Sequence, residues 1–145
     1  MKDPYNLRDR FVENQRLDFR SALVEIRQGQ KRGHWLWFIL PTAPYIVNGI
    51  EKGSRNNQFF ALRGDDCVKA YLRFEYDGIC LRDNYYAIVE SIRMQLRGGN
   101  TLSYIFGPGN DVKVISSLTL FKRIATEIND VELAKACRSV LDMCA

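Results

Sequence analysis

The chain has a single histidine, His34, and that scarcity closes several routes to function. A Cys/His zinc site of the usual spacing needs more imidazoles or a Cys-x-x-Cys pair. The four cysteines, Cys67, Cys80, Cys137 and Cys144, form no such pair. There is no Gly-x-Ser-x-Gly elbow, no Gly-x-Gly-x-x-Gly fingerprint and no glycine-rich turn followed by Gly-Lys-Ser/Thr. No metal and no cofactor is therefore expected, and no nucleophilic-catalysis motif is present. Long apolar runs are missing too. The longest, Trp35 to Leu40, is far too short to span a bilayer. Through Arg32 the sequence is polar and charged, without the apolar core of a signal peptide. The expectation is a cytoplasmic protein with free cysteines and no membrane association.

What is present suits one globular domain. A chain of 145 residues, 46% hydrophobic and 26% charged, is long enough to bury a real core. The charge balance, 21 cationic against 17 anionic residues, permits phosphate binding but does not call for nucleic acid as a partner.

Helical spacing dominates. From Leu7 to Gln28 the residues Leu7, Phe11, Val12, Phe19, Ala22, Leu23 and Ile26 fall on one face, with Gly29 as a stop. Asp9, Glu13, Arg16, Arg20, Arg27 and Lys31 fall on the other, a pattern typical of a solvated face. Further helices are expected after Asp65 or Asp66, from about Cys80 to Arg97, and from Asn129, where Asn129 and Glu132 form a capping box. Asp111 to Ile124 is ambiguous because of its β-branched residues; Asp111 as a cap favours helix. The fold expected is all-α: a single compact multihelical domain over residues 1–145 with six or seven helices. It has a long irregular loop at about 42–64 and no convincing hairpin. Phe11, Leu23, Trp35, Trp37, Tyr71, Leu81, Ile88, Phe106, Leu118 and Phe121 are its expected core.

Two stretches can carry chemistry. In Lys31-Arg32-Gly33-His34-Trp35-Leu36-Trp37, a cation can hold a phosphate or carboxylate while Trp35 or Trp37 offers a ring face. His34 is the natural proton donor or acceptor there. The alternative is two core tryptophans and a histidine satisfied by backbone. The second stretch runs from Asn110 to Thr119 and gathers Asp111, Lys113, Ser116, Ser117 and Thr119 behind a glycine-rich turn. It offers either an anion-binding helix start or a locally capped one. Gln15 interrupts the apolar face of the first helix. It is either a satisfied core amide or a polar group at a pocket floor.

These stretches carry a resemblance. Arg10-Phe11-Val12 with Gln15, Ala22-Leu23 with Glu25, Gly29 to Lys31, His34 to Pro41, Ile105-Phe106-Gly107, Asp111, Lys113 and Ser116 to Phe121 resemble an uncharacterised family of small bacterial and eukaryotic proteins. The family is filed as a domain of unknown function and sometimes labelled calpastatin. Gly33 and Thr42 stand where that family usually has Ser and Gln. The stretch around Asn48 to Asn57 replaces its short Gly-Leu-Gly-x-Ser loop. The resemblance implies an all-helical fold and no established reaction. In architecture the family is similar to NADAR proteins, helical domains tied to ADP-ribose chemistry.

Two functions stay open at this level. One is binding or processing of a small anionic metabolite, such as a nucleotide or ADP-ribose derivative. Gln15, Lys31, His34, Trp35, Trp37, Asp111, Lys113, Ser116, Ser117 and Thr119 are its candidate site, with His34 or Asp111 for proton transfer. The other is a non-enzymatic module that meets a protein partner through the basic helix face or the 42–64 loop.

Overall fold

A computed structural model describes residues 2–144. The chain is mostly helical but not strictly all-α. Eight α-helices are present among the described residues: α1 (Glu13–Arg27), α2 (Leu36–Ile39), α3 (Arg55–Phe59), α4 (Asp65–Arg73), α5 (Leu81–Arg97), α6 (Leu102–Phe106), α7 (Asn110–Glu127) and α8 (Val131–Cys144). A π-helical turn, Arg8–Val12, leads into α1. Asp3 fastens this entrance by accepting the N–H groups of Leu7 and Arg8 at 2.7 and 2.9 Å. The Asn14 amide donates to Arg10 O at 2.9 Å, which satisfies a carbonyl within the widened turn.

Two antiparallel hairpins correct the all-helical expectation. β1 (Tyr45–Val47) pairs with β2 (Ile50–Lys52), and β3 (Glu75–Tyr76) pairs with β4 (Ile79–Cys80). Each turns on two residues of positive φ: Asn48 and Gly49 in the first, Asp77 and Gly78 in the second. That geometry matches the right-handed twist of paired strands, and Asn-Gly and Asp-Gly are the dipeptides that adopt it at least cost. The first hairpin and α3 occupy the segment expected to be irregular.

Helix starts also differ in detail. Asp130, not Asn129, caps α8, its Oδ1 accepting the Leu133 N–H at 3.2 Å. Asn129 instead takes positive φ, and Glu132 reaches Arg82 at 3.0 Å. Residues 111–124 are helical, but α7 starts at Asn110 behind the left-handed Gly109, so Asp111 sits inside the first turn rather than capping it.

The core runs between α1, α4, α5, α7 and α8, with Ala22, Ile26, Val68, Tyr71, Tyr85, Ile88, Leu118, Phe121, Leu133 and Cys137 buried. Tyr85 stacks on Phe121 at a centroid distance of 4.0 Å, and Tyr71 meets the same ring edge-on at 5.4 Å. Of the expected core, Leu23 and Trp37 are only partly buried. All four cysteines are free. No described helix is long and apolar enough to cross a membrane. Arg16, on the basic face of α1, pairs with Glu13 and Asp77 at the surface.

Candidate functional site

Glu25 organises the segment that follows α1. Its Oε1 accepts the N–H groups of Arg32 and Gly33 at 2.7 and 2.9 Å and the Trp35 indole N–H at 2.9 Å. Burial pushes this carboxyl upward. The donors from Gly33, Arg32 and Trp35, with Lys31 nearby, outweigh that and hold it below its ordinary value. The Lys31 N–H donates to Ile105 O at 2.7 Å, tying the same segment to α6. Trp35 is thereby a packed residue, 2% exposed and edge-on to Phe106.

Two residues further, α2 turns Trp37 outward. Its ring is half-buried, and its indole N–H donates to Asn57 Oδ1 on α3 at 3.0 Å. The Lys113 Nζ lies 5.6 Å from the Trp37 ring centroid, within cation–π range. Lys31 makes the corresponding contact with Trp35 at 5.5 Å. Burial pulls the Lys31 ammonium below its ordinary value; Glu25 opposes this and the charge of Lys113 adds to it. The two lysines therefore feel one another.

Trp37 and Lys113 line a groove of about 580 Å³. Its floor and walls come from α2, the excursion between Thr42 and Phe60, and the face of α7 that carries Val112, Ser116 and Leu120. Lys113 is the one charged residue in this lining, which contains no carboxylate. Lys113 has no ion pair among the described residues, so its charge faces an apolar groove uncompensated.

The remaining candidates separate into other places. Gln15 is 2% exposed and makes three hydrogen bonds: its Nε2 donates to Phe38 O at 2.8 Å and to the Tyr71 hydroxyl at 3.0 Å, and its Oε1 accepts from Asn84 Nδ2 at 2.9 Å. It supports α2 from beneath and does not line the groove. Ser117 is buried and donates to Pro41 O at 2.7 Å. Its single hydrogen being used there, the Tyr85 hydroxyl is the donor in the 2.9 Å contact between them. Thr119 is exposed and donates to Ile115 O within α7. Asp111 accepts from Ser103 Oγ at 3.2 Å, and His34 is exposed with no hydrogen bond among the described residues. Neither His34 nor Asp111 lines the groove.

Tyr45, Asn57 and Val112 enter the groove without having been singled out in the sequence. Val112, Ser116 and Leu120 recur every four residues, so their shared helical face was available to a periodicity argument. Nothing in the local sequence announced Tyr45 or Asn57, which arrive through the hairpin and the short α3.

Fold and groove together define a mostly helical protein with one aromatic, singly cationic recess. The chain matches the family described as "Protein of unknown function (DUF1810)" over residues 4–142, and it belongs to that family. It is similar to a solved structure of the conserved hypothetical protein Rv1873 from Mycobacterium tuberculosis. The identity is 32% and the TM-score 0.73, covering 90% of this chain and 86% of that one. Neither description mentions calpastatin or ADP-ribose. No curated protein matches the chain significantly.

Proposed function

We propose that the groove between α2 and α7 binds a small organic anion bearing a flat ring, of the nucleotide or ADP-ribose type. The observation that carries this is Lys113: an ammonium without a carboxylate partner, in an otherwise uncharged groove, beside a half-buried tryptophan face. An ammonium without a carboxylate partner is free to take an anion, and the indole supplies ring contact at little entropic cost. The volume of about 580 Å³ suits a ligand of that size. The reading is one of binding, and no residue is assigned a proton-transfer role.

The test is a thermal-shift series with AMP and ADP-ribose on wild-type protein, Lys113→Met and Trp37→Leu. A site-specific ligand at 100 times its dissociation constant stabilises by about 2.7 kcal/mol. A shift in the wild type that both substitutions remove supports the groove. A shift that survives both places the ligand elsewhere, and no shift with either compound counts against the reading. The alternative, a protein-interaction module, draws on the exposed Ile46, Val47 and Ile50 of the hairpin. It predicts that nucleotides leave the protein unchanged.

A further inference from the structure

The β1–β2 hairpin is apolar and uncovered. Tyr45, Ile46, Val47 and Ile50 are 63%, 53%, 38% and 58% exposed, so the hairpin contributes little to the core. Its ties to the neighbouring chain include the surface ion pair of Glu51 with Arg63 and, at its base, the Gln58 Nε2–H donating to Gly53 O at 3.1 Å. The whole excursion is closed at its neck, where the Leu62 N–H donates to Thr42 O at 2.9 Å. Between neck and strands stand Pro44, which fixes its own φ and has no N–H, and Gly53 at φ +104°. Strand pairing keeps the hairpin itself stiff, Pro44 restricts one side of its base, and Gly53 carries the freedom on the other. Pro44, Tyr45 and Gly53 all line the groove that holds Trp37.

We propose that Tyr45 is the second wall of a ring-binding site. The β1–β2 hairpin pivots at Gly53 to lay Tyr45 on the ring face opposite Trp37, so that the preferred ligands are nucleoside monophosphates. This rests on the reading of the groove given above and narrows it. The argument has three parts. Trp37 and Tyr45 border one groove whose lining also includes the buried Phe60, and a flat ring sandwiched between the first two buries both of its faces. Closure also covers apolar hairpin surface that is otherwise left in water. The lining offers a single cation, which matches one phosphate rather than a di- or triphosphate chain. Stacking is tolerant of base identity because every base has a π-face, so the four bases are expected to bind comparably.

The test titrates the four nucleoside 5′-monophosphates and ribose 5-phosphate into wild-type, Tyr45→Ala, Tyr45→Phe and Lys113→Met proteins by calorimetry. Hydrogen exchange of the hairpin amides is followed in parallel. The expected result is that wild type binds all four nucleotides at least about tenfold more tightly than ribose 5-phosphate. Tyr45→Ala weakens the nucleotides towards the ribose 5-phosphate level, the Trp37 face alone remaining, without changing ribose 5-phosphate itself, and Tyr45→Phe restores them. Amides of residues 46–50 gain protection on nucleotide binding. If Tyr45→Ala binds nucleotides like wild type while Lys113→Met does not, the second wall is refuted and the groove reading stands. Equal affinity of wild type for ribose 5-phosphate and nucleotides refutes ring contact with Trp37 as well as with Tyr45 and overturns both readings. Wild type binding none of the five compounds overturns both.

Discussion

The indole N–H of Trp37 is held by the Asn57 side-chain carbonyl at 3.0 Å, a bond that joins α2 to α3 across the mouth of the groove. It fixes the ring plane that any flat ligand meets. Asn57 is itself placed by the short helix it belongs to, its N–H donating to Ser54 Oγ at 3.2 Å.

Replacing Asn57 by Ala removes the acceptor but leaves the half-buried indole able to reach water. The expected loss of stability is about 0.5–1.5 kcal/mol by urea denaturation. The larger effect is on Trp37 itself, whose emission broadens and whose ligand-induced quenching weakens. Unchanged fluorescence and affinity would show that packing alone orients the ring.

Glu25 gives a prediction in pH. Its carboxyl lies below its ordinary value of 4.5 in the folded chain, so the stabilisation it supplies is present above the unfolded value. That stabilisation is lost as pH falls through the lower folded value. Glu25→Gln keeps an acceptor but not the charge. It should lower stability at pH 7 by about 1–2 kcal/mol. As pH falls from about 5 through 4.5 and below, the wild type should lose more stability than the variant. Urea midpoints measured across that range check this; parallel profiles would mean that other carboxylates dominate.

Much of the scaffold was legible from spacing, because α1, α5 and α8 each bury a stripe of residues three or four apart. The hairpins were not. Their strands are two or three residues long, and the side chains of β1 all face solvent, so no alternation of polar and apolar residues develops. The turn dipeptides Asn48-Gly49 and Asp77-Gly78 were the surviving signal, and they mark hairpins only when the flanking residues pair. At the groove, Trp37 and Lys113 stood out by chemistry, yet which tryptophan is packed and which is open depends on Glu25, ten residues before Trp35. Gln15 shows the same dependence. Its place on an apolar face was readable, while its partners Phe38, Tyr71 and Asn84 come from distant parts of the chain.

Adjacent hydroxyls make a sharp contrast. Ser117 is enclosed between Pro41 O and the Tyr85 hydroxyl, so Ser117→Ala leaves two buried polar groups short of a partner. It should cost about 1–3 kcal/mol. Ser116 is exposed on the groove side, and Ser116→Ala should change stability by no more than about 0.5 kcal/mol. Parallel denaturation curves for the two variants test the assignment, and equal losses would erase the distinction.

Gly33 is packed too closely for a serine simply to replace it. A Cβ at this position lies 2.9 Å from Trp35 Cδ1 and 3.3 Å from its Nε1. The indole has little room to retreat: it is buried, bonded to Glu25 and edge-on to Phe106. Gly33→Ser must therefore displace the ring or the backbone, and strain of that kind costs about 1–3 kcal/mol. Displacement would also lengthen the Trp35–Glu25 bond, so the two losses should be less than additive: Gly33→Ser in a Glu25→Gln background should cost less than in the wild type. A double-mutant cycle by urea denaturation measures this. Full tolerance of Ser at position 33 would show that the Lys31 to Trp35 segment adjusts freely, and with it that Glu25 does not fix the approach to the groove.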